Sequence, residues 1–173
     1  MREKKQFIEQ GRITNTHGIK GEVKMEIWCD TEKDAARLKR FFLDDKGNMP
    51  LAVEYMGKPF KGKGGVLLYC KLEGYDTATD AARLKGKSVY VSRDDLNIPK
   101  GRYLIEDLIG IPVIDAETGK VYGALAYVMP CPASDIYVVQ TEKGERQVPD
   151  VPEFVKKIDD EGIYITPIKG MFE

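Results

Sequence analysis

The stretch Asp30-Thr31-Glu32-Lys33-Asp34-Ala35-Ala36-Arg37-Leu38-Lys39 returns 46 residues later as Asp76-Thr77-Ala78-Thr79-Asp80-Ala81-Ala82-Arg83-Leu84-Lys85, identical at eight of ten positions. In each copy a Thr precedes an Asp by three residues, a weak variant of the capping box. The Ala-Ala-Arg-Leu run behind it favours a helix of about two turns. Each copy follows a strand-like stretch. Two units are too few for a solenoid, which needs roughly three or more. They fit a small pseudo-symmetric barrel built from two strand–helix–strand halves. Convergence of two separately capped helices is the alternative.

The strand-like stretches have their own patterns. In 22–29, apolar side chains fall at Val23, Met25, Ile27 and Cys29, which predicts a half-buried strand with Glu22, Lys24 and Glu26 toward water. Residues 66–72 are apolar except Lys71, as in a central strand, and 88–92 is a further short strand. Pro99 and Gly101 then punctuate the chain, and the position before a proline disfavours helix. A chain of 173 residues has room for two small domains. The expected division is 1–95, a linker at 96–102, and 103–173. In the latter, 112–114, 121–128, 136–140 and 163–165 read as strands, with turns at 117–120 and 142–145. Residues 151–158 have room for one short helix, with Phe154, Val155 and Ile158 on one face. Many short strands with regular turns predict a second small barrel or sandwich, so the fold class is mainly β.

With 42% hydrophobic and 32% charged residues, a core can form, and a disordered tail, a collagen-like chain and a disulfide knot are excluded. No apolar run approaches the ~20 residues of a membrane helix. Met1-Arg2-Glu3-Lys4-Lys5 is charged with no apolar stretch behind it, so no secretory leader is expected. Cys29, Cys70 and Cys131 are odd in number and far apart, and read as small buried hydrophobes in a reducing compartment. A soluble, cytoplasmic protein is expected. The net charge of −1 argues against indiscriminate coating of nucleic acid. Residues 1–98 hold 19 Lys and Arg against 15 Asp and Glu, a balance of +4, and 99–173 hold 8 against 13, a balance of −5. That asymmetry suggests two modules with different partners, or an unselected surface composition.

Catalytic motifs are lacking. His17 is the single histidine and lies in Thr16-His17-Gly18-Ile19-Lys20-Gly21, which reads as a turn; without a second His or a reactive Cys nearby, it supports neither a nucleophile–base pair nor a zinc site. Gly57-Lys58-Pro59-Phe60-Lys61-Gly62-Lys63-Gly64 nearly matches a phosphate-binding loop. It places Gly64 where the magnesium-binding hydroxyl belongs, and strand follows where helix should. A basic hairpin loop is expected, whose lysines touch phosphate by charge alone. Asp94-Asp95 and Asp159-Asp160-Glu161 lack calcium-loop spacing. No catalytic residue, metal, cofactor or small-molecule substrate is expected.

Gly11 to Lys24, Leu72 to Asp76 with Ala81 to Gly86, Tyr103 with Asp107 to Gly110, and the segments from Val148 to Phe172, taken in order, resemble the bacterial ribosome maturation factor RimM family. Gly11-Arg12-Ile13-Thr14-Asn15-Thr16-His17-Gly18-Ile19-Lys20-Gly21-Glu22-Val23-Lys24 looks like its opening signature. Leu72-Glu73-Gly74-Tyr75-Asp76, with Ala81-Ala82 and Leu84-Lys85-Gly86, matches the end of its first domain. Tyr103 with Asp107-Leu108-Ile109-Gly110 resembles the start of its second, a PRC-barrel, and Val148-Pro149, Val151-Pro152 and Gly170-Met171-Phe172 resemble its tail. The resemblance implies a six-stranded N-terminal barrel of the elongation-factor and reductase kind, followed by a C-terminal PRC-barrel with a few short helices. It further implies a monomeric, non-catalytic assembly factor that binds the immature 30S subunit, 16S rRNA and small-subunit ribosomal protein nineteen. Members act in maturation of the 30S head and processing of 16S rRNA. On this chain rRNA contact would fall to Arg12, His17, Lys20 and Lys24, and ribosomal-protein contact to Tyr103, Leu104 and Asp107.

Two positions depart from the family pattern. Leu104 stands where the family usually has the second of two tyrosines, and Asp150 where an aromatic tends to follow the proline. Tyr103 reads equally as a linker aromatic packed between domains. The competing class is a PRC-barrel interaction protein with a non-ribosomal partner. A flavin-binding barrel is weaker still, since no cofactor motif accompanies it.

Overall fold

The computed structural model describes residues 3–173, so Met1 and Arg2 of the charged start lie outside the described residues. The chain divides into two units, Lys5–Pro99 and Lys100–Glu173; Lys4 groups with the second and reaches Asp160 at 3.0 Å.

The first unit opens with β1 (Phe7–His17), β2 (Glu22–Ile27), α1 (Glu32–Arg37) and β3 (Phe41–Phe42). It continues with β4 (Pro50–Leu51), β5 (Val53–Met56), β6 (Phe60–Lys61), β7 (Val66–Leu72), α2 (Ala78–Ala82) and β8 (Ser88–Ser92). Both copies of the repeat are short helices, and the cap does what the spacing predicts. Thr31 Oγ1 accepts from the Asp34 backbone N–H at 3.2 Å and donates to its carboxylate at 2.8 Å. Thr77 and Asp80 repeat the pair at 3.1 and 3.0 Å. The same two repeat positions, Ala35/Ala81 and Leu38/Leu84, are buried in one core.

Symmetry extends to the strands. The halves β2–α1–β3 and β7–α2–β8 meet with β2 antiparallel to β7 and β3 antiparallel to β8. The sheet runs β4-β3-β8-β1-β2-β7-β5, and Ala52 alone separates β4 from β5. One stretch of chain, 50–56, thus pairs with both edges and ties the sheet into a nearly closed barrel. Its strand positions are the expected six: β1, β2, β3, the 50–56 stretch, β7 and β8, with β6 a stub on β7. A barrel has no free edge to template unwanted pairing. Ile13, Val23, Met25, Ile27, Leu68, Cys70, Val89 and Val91 fill it.

One expectation for this unit needs correction. His17 is the last residue of β1, and the turn begins only at Gly18. Cross-strand pairing with Glu22 holds His17 extended despite the glycine after it. β7 lies between β2 and β5, as expected of a central strand, with Val66, Leu68, Cys70 and Leu72 buried and Leu67, Tyr69 and Lys71 half-buried on the outer side. Leu67 and Tyr69 hid that alternation because they are apolar.

The second unit contains α3 (Ile105–Leu108), β9 (Pro112–Asp115), β10 (Val121–Met129), β11 (Ile136–Thr141), β12 (Gly144–Pro149), β13 (Val155–Ile158) and β14 (Ile163–Ile165). Its six-stranded sheet runs β12-β11-β10-β9-β14-β13, antiparallel except between β9 and β14. Leu108, Ile111, Val113, Leu125, Tyr137, Val139, Val148, Ile163 and Ile165 form a separate core. The helix expected at 151–158 is absent. A single turn closes, with the Phe154 and Val155 N–H groups donating to the Val151 carbonyl at 3.0 and 2.8 Å. The chain then extends into β13, where Val155 faces Ile165 and Ile158 faces Ile163. Pairing with β14 satisfies the backbone and suits β-branched Val155 and Ile158 better than a second turn would.

Candidate functional site

The outer face of β1 and β2 follows from parity. Val23, Met25 and Ile27 point into the barrel, so Glu22, Lys24 and Glu26 point out. On β1 the partners of those outward residues are His17, Asn15 and Arg12, in that order. A bulge at Thr14 keeps Asn15 and His17 on the same outer face as Arg12. The structure therefore brings Arg12, His17 and Lys24 to one surface, and Lys20 extends from the exposed turn that joins the strands.

That turn is pinned by glycine. Gly21 has φ +85° and is buried, and a Cβ there would run into the backbone carbonyl of Tyr75. Only a residue without a side chain lets the turn seat against the segment leading into α2.

Local pairing sorts the charges. The Arg12 guanidinium lies 3.6 Å from Glu26, and His17 Nε2 lies 3.9 Å from Glu22. The Lys71 ammonium sits 2.9 Å from Asp76 and 3.7 Å from Glu54; the hydrogen bond to Asp76 raises its pKa most, against a smaller lowering by burial. Lys20, Lys24, Lys58, Lys61 and Lys63 have no ion-pair partner among the described residues.

Sequence reasoning did not place the rings on this face. His17 packs on Tyr69 of β7 with centroids 4.0 Å apart, and Phe60 of β6 flanks the same Tyr69 at 5.6 Å. The signal lay in Lys71, whose outward parity Tyr69 and Leu67 share.

In the second unit, Leu104 stands at the N-cap of α3 and Asp107 lies in its first turn. The Tyr103 hydroxyl donates to the Ile158 carbonyl at 2.8 Å. Tyr103 and Ile105 help line a cavity of about 400 Å³ that Leu108, Tyr137 and Asp150 also border; Leu104 and Asp107 do not border it. Asp150, at the position that departs from the family pattern, accepts a hydrogen bond from Tyr137 at 2.9 Å. Burial first, then that bond, pushes the Tyr137 hydroxyl far above its ordinary pKa. The exposed rim thus carries a fixed acceptor where an aromatic would have offered a ring.

The remaining reactive groups are quiet. Burial raises the Cys70 thiol to about 12 and, helped by Asp34 and Asp30, the Cys29 thiol to about 11. Only Cys70 is fully buried; Cys29 and Cys131 are half-buried, less than expected. Among the described residues, no three His, Cys, Asp or Glu side chains gather to hold a metal, and no helix is long and apolar enough to cross a membrane.

Comparison with known proteins agrees across the chain. The family model of the RimM N-terminal domain matches residues 8–96, and that of the RimM PRC barrel domain matches 105–170. A ribosome maturation factor RimM from Clostridioides difficile is 37% identical over 177 residues, with 100% of both chains covered. Another, from Caldanaerobacter subterraneus, is 34% identical over 157 residues, covering 90% of this chain and 92% of the relative. The solved N-terminal domain of RimM from Thermus thermophilus shares 25% identity at a TM-score of 0.41, covering 53% of this chain and 95% of that domain.

Proposed function

The chain belongs to the RimM family of ribosome maturation factors, and from that premise we propose that it is a cytoplasmic, non-catalytic assembly factor for the small ribosomal subunit. In this reading it binds the immature 30S particle and small-subunit ribosomal protein nineteen as a monomer, and promotes maturation of the 30S head and processing of 16S rRNA. The observation that carries it is the match of both family domains, in order, along one chain. The domains are proposed as 1–95 and 103–173, joined by 96–102.

Charge supports the division of labour. The +4 N-terminal part suits an RNA backbone, and the −5 C-terminal part suits a basic ribosomal protein. Arg12, His17, Lys20 and Lys24 are proposed for rRNA, since three share one face and the fourth tops the adjoining turn. Tyr103, Leu104 and Asp107 are proposed for the protein partner; of the three, Tyr103 lines the cavity that Asp150 also borders.

Co-sedimentation is the test. Tagged protein should travel with immature 30S particles, less with mature ones, and should retain 16S rRNA precursor and ribosomal protein nineteen. Recovery of a non-ribosomal partner alone would refute the assembly role in favour of a general interaction module.

A further inference from the structure

The rings on the first unit have a use that their packing leaves open. His17, Tyr69 and Phe60 come from three strands and form a row across the sheet, with centroid spacings of 4.0 and 5.6 Å. The row is not sealed: the His17 side chain is 49% exposed and Phe60 38%. Tyr55, at 60% exposure, lies on β5, which pairs with the same β7. Rings left open on a sheet face are unusual for a surface that must only be wetted, because each exposes apolar area without return.

What surrounds the rings selects the ligand. Lys24 is the direct cross-strand neighbour of Tyr69, and Lys58 lies two residues before Phe60 in the chain. Neither of these lysines has an ion-pair partner among the described residues, whereas Glu26 of the same face already lies 3.6 Å from the Arg12 guanidinium. The face therefore offers partly exposed rings at the two ends of the row, with unpaired lysines on the same side of the sheet. Phosphates meet the lysines and unpaired bases meet the rings, because every base has a π-face that stacks on an aromatic plane. A duplex hides its bases and would use only the charge.

We propose that the His17–Tyr69–Phe60 row is a stacking platform for unpaired nucleotides of an RNA strand. The inference rests on the assembly-factor reading and deepens it, since it names the form of RNA that this face takes. Phe60 is the outermost ring of the row, on the two-residue strand β6.

Fluorescence anisotropy of the full-length protein, with a short labelled RNA lacking self-complementarity and with a blunt RNA duplex, tests it. Phe60→Leu keeps apolar cover over Leu67 but removes the ring, and Phe60→Trp keeps a ring. Phe60→Leu should weaken single-strand binding about tenfold, within the range for one lost stack. Phe60→Trp should bind as wild type, and duplex binding should be unchanged in both. A Phe60→Leu/His17→Ala protein that melts as wild type yet binds the single strand undiminished would overturn the platform. So would an equal loss on strand and duplex, or no single-strand binding by the wild type. Absence of the wild type from immature 30S fractions, with oligonucleotide binding intact, would instead overturn the assembly reading and leave the platform supported.

Discussion

Gly21→Ala should be among the most damaging single-methyl changes in the first unit, and the structure allows its size to be worked out. The residue has φ +85°, in the left-handed region, which costs a non-glycine residue about 1–2 kcal/mol. Its added Cβ would also meet the Tyr75 backbone carbonyl, which cannot rotate away as a side-chain tip does. Moving that backbone adds a strain of ~1–3 kcal/mol, as overpacking does elsewhere. The expected total is roughly 2–5 kcal/mol. Gly18→Ala is the internal control: φ is +66°, and nothing lies within 4 Å of the added atom, so only the conformational cost applies. Urea unfolding of the two variants, followed by a probe in the first unit, gives the difference directly. Equal destabilisation by the two substitutions would refute the close-approach argument and leave conformation alone as the reason for Gly21.

Four further outcomes are expected. Reversing Lys20 and Lys24 to Glu should weaken binding to immature 30S and reduce the salt slope of binding by ~0.7–0.9 per lost phosphate contact, and an unchanged slope would remove this turn from the RNA surface. Replacing Tyr103 and Leu104 with Ala should cost ~2–4 kcal/mol of affinity for ribosomal protein nineteen if they are central to that contact, measured by calorimetric titration with parallel melts; native affinity would exclude them. Fragments 1–98 and 102–173 should each fold, the second marginally for its size, as checked by cooperative melting. The Cys70 thiol, raised to about 12 by burial, carries almost no thiolate at pH 8, so it should resist alkylation in the native protein and react once urea unfolds it.

Much of this protein was legible along the chain because its signals are local. The Thr-x-x-Asp caps and the Ala-Ala-Arg-Leu runs form two short helices from contacts within a few residues. Alternation at Val23, Met25 and Ile27 likewise assigned the inner and outer faces of β2. The ordered motifs from Gly11 to Phe172 pointed to the family that the comparisons then showed. Tertiary structure decided what depends on partners distant in sequence. Residues 151–158 could pass for a helix until β14 supplied ladder partners for β13. The 50–56 stretch has no pattern that announces its two pairings, one with each edge of the sheet, and it is these that tie the barrel together. The ring row depends on register across β1, β2, β7 and β6: His17 and Tyr69 stand 52 positions apart in sequence and 4.0 Å apart in space. A sequence states which face a side chain takes on its own strand, through a period of two; which strand lies beside it is set by long-range pairing, and that pairing places the rings beside the lysines.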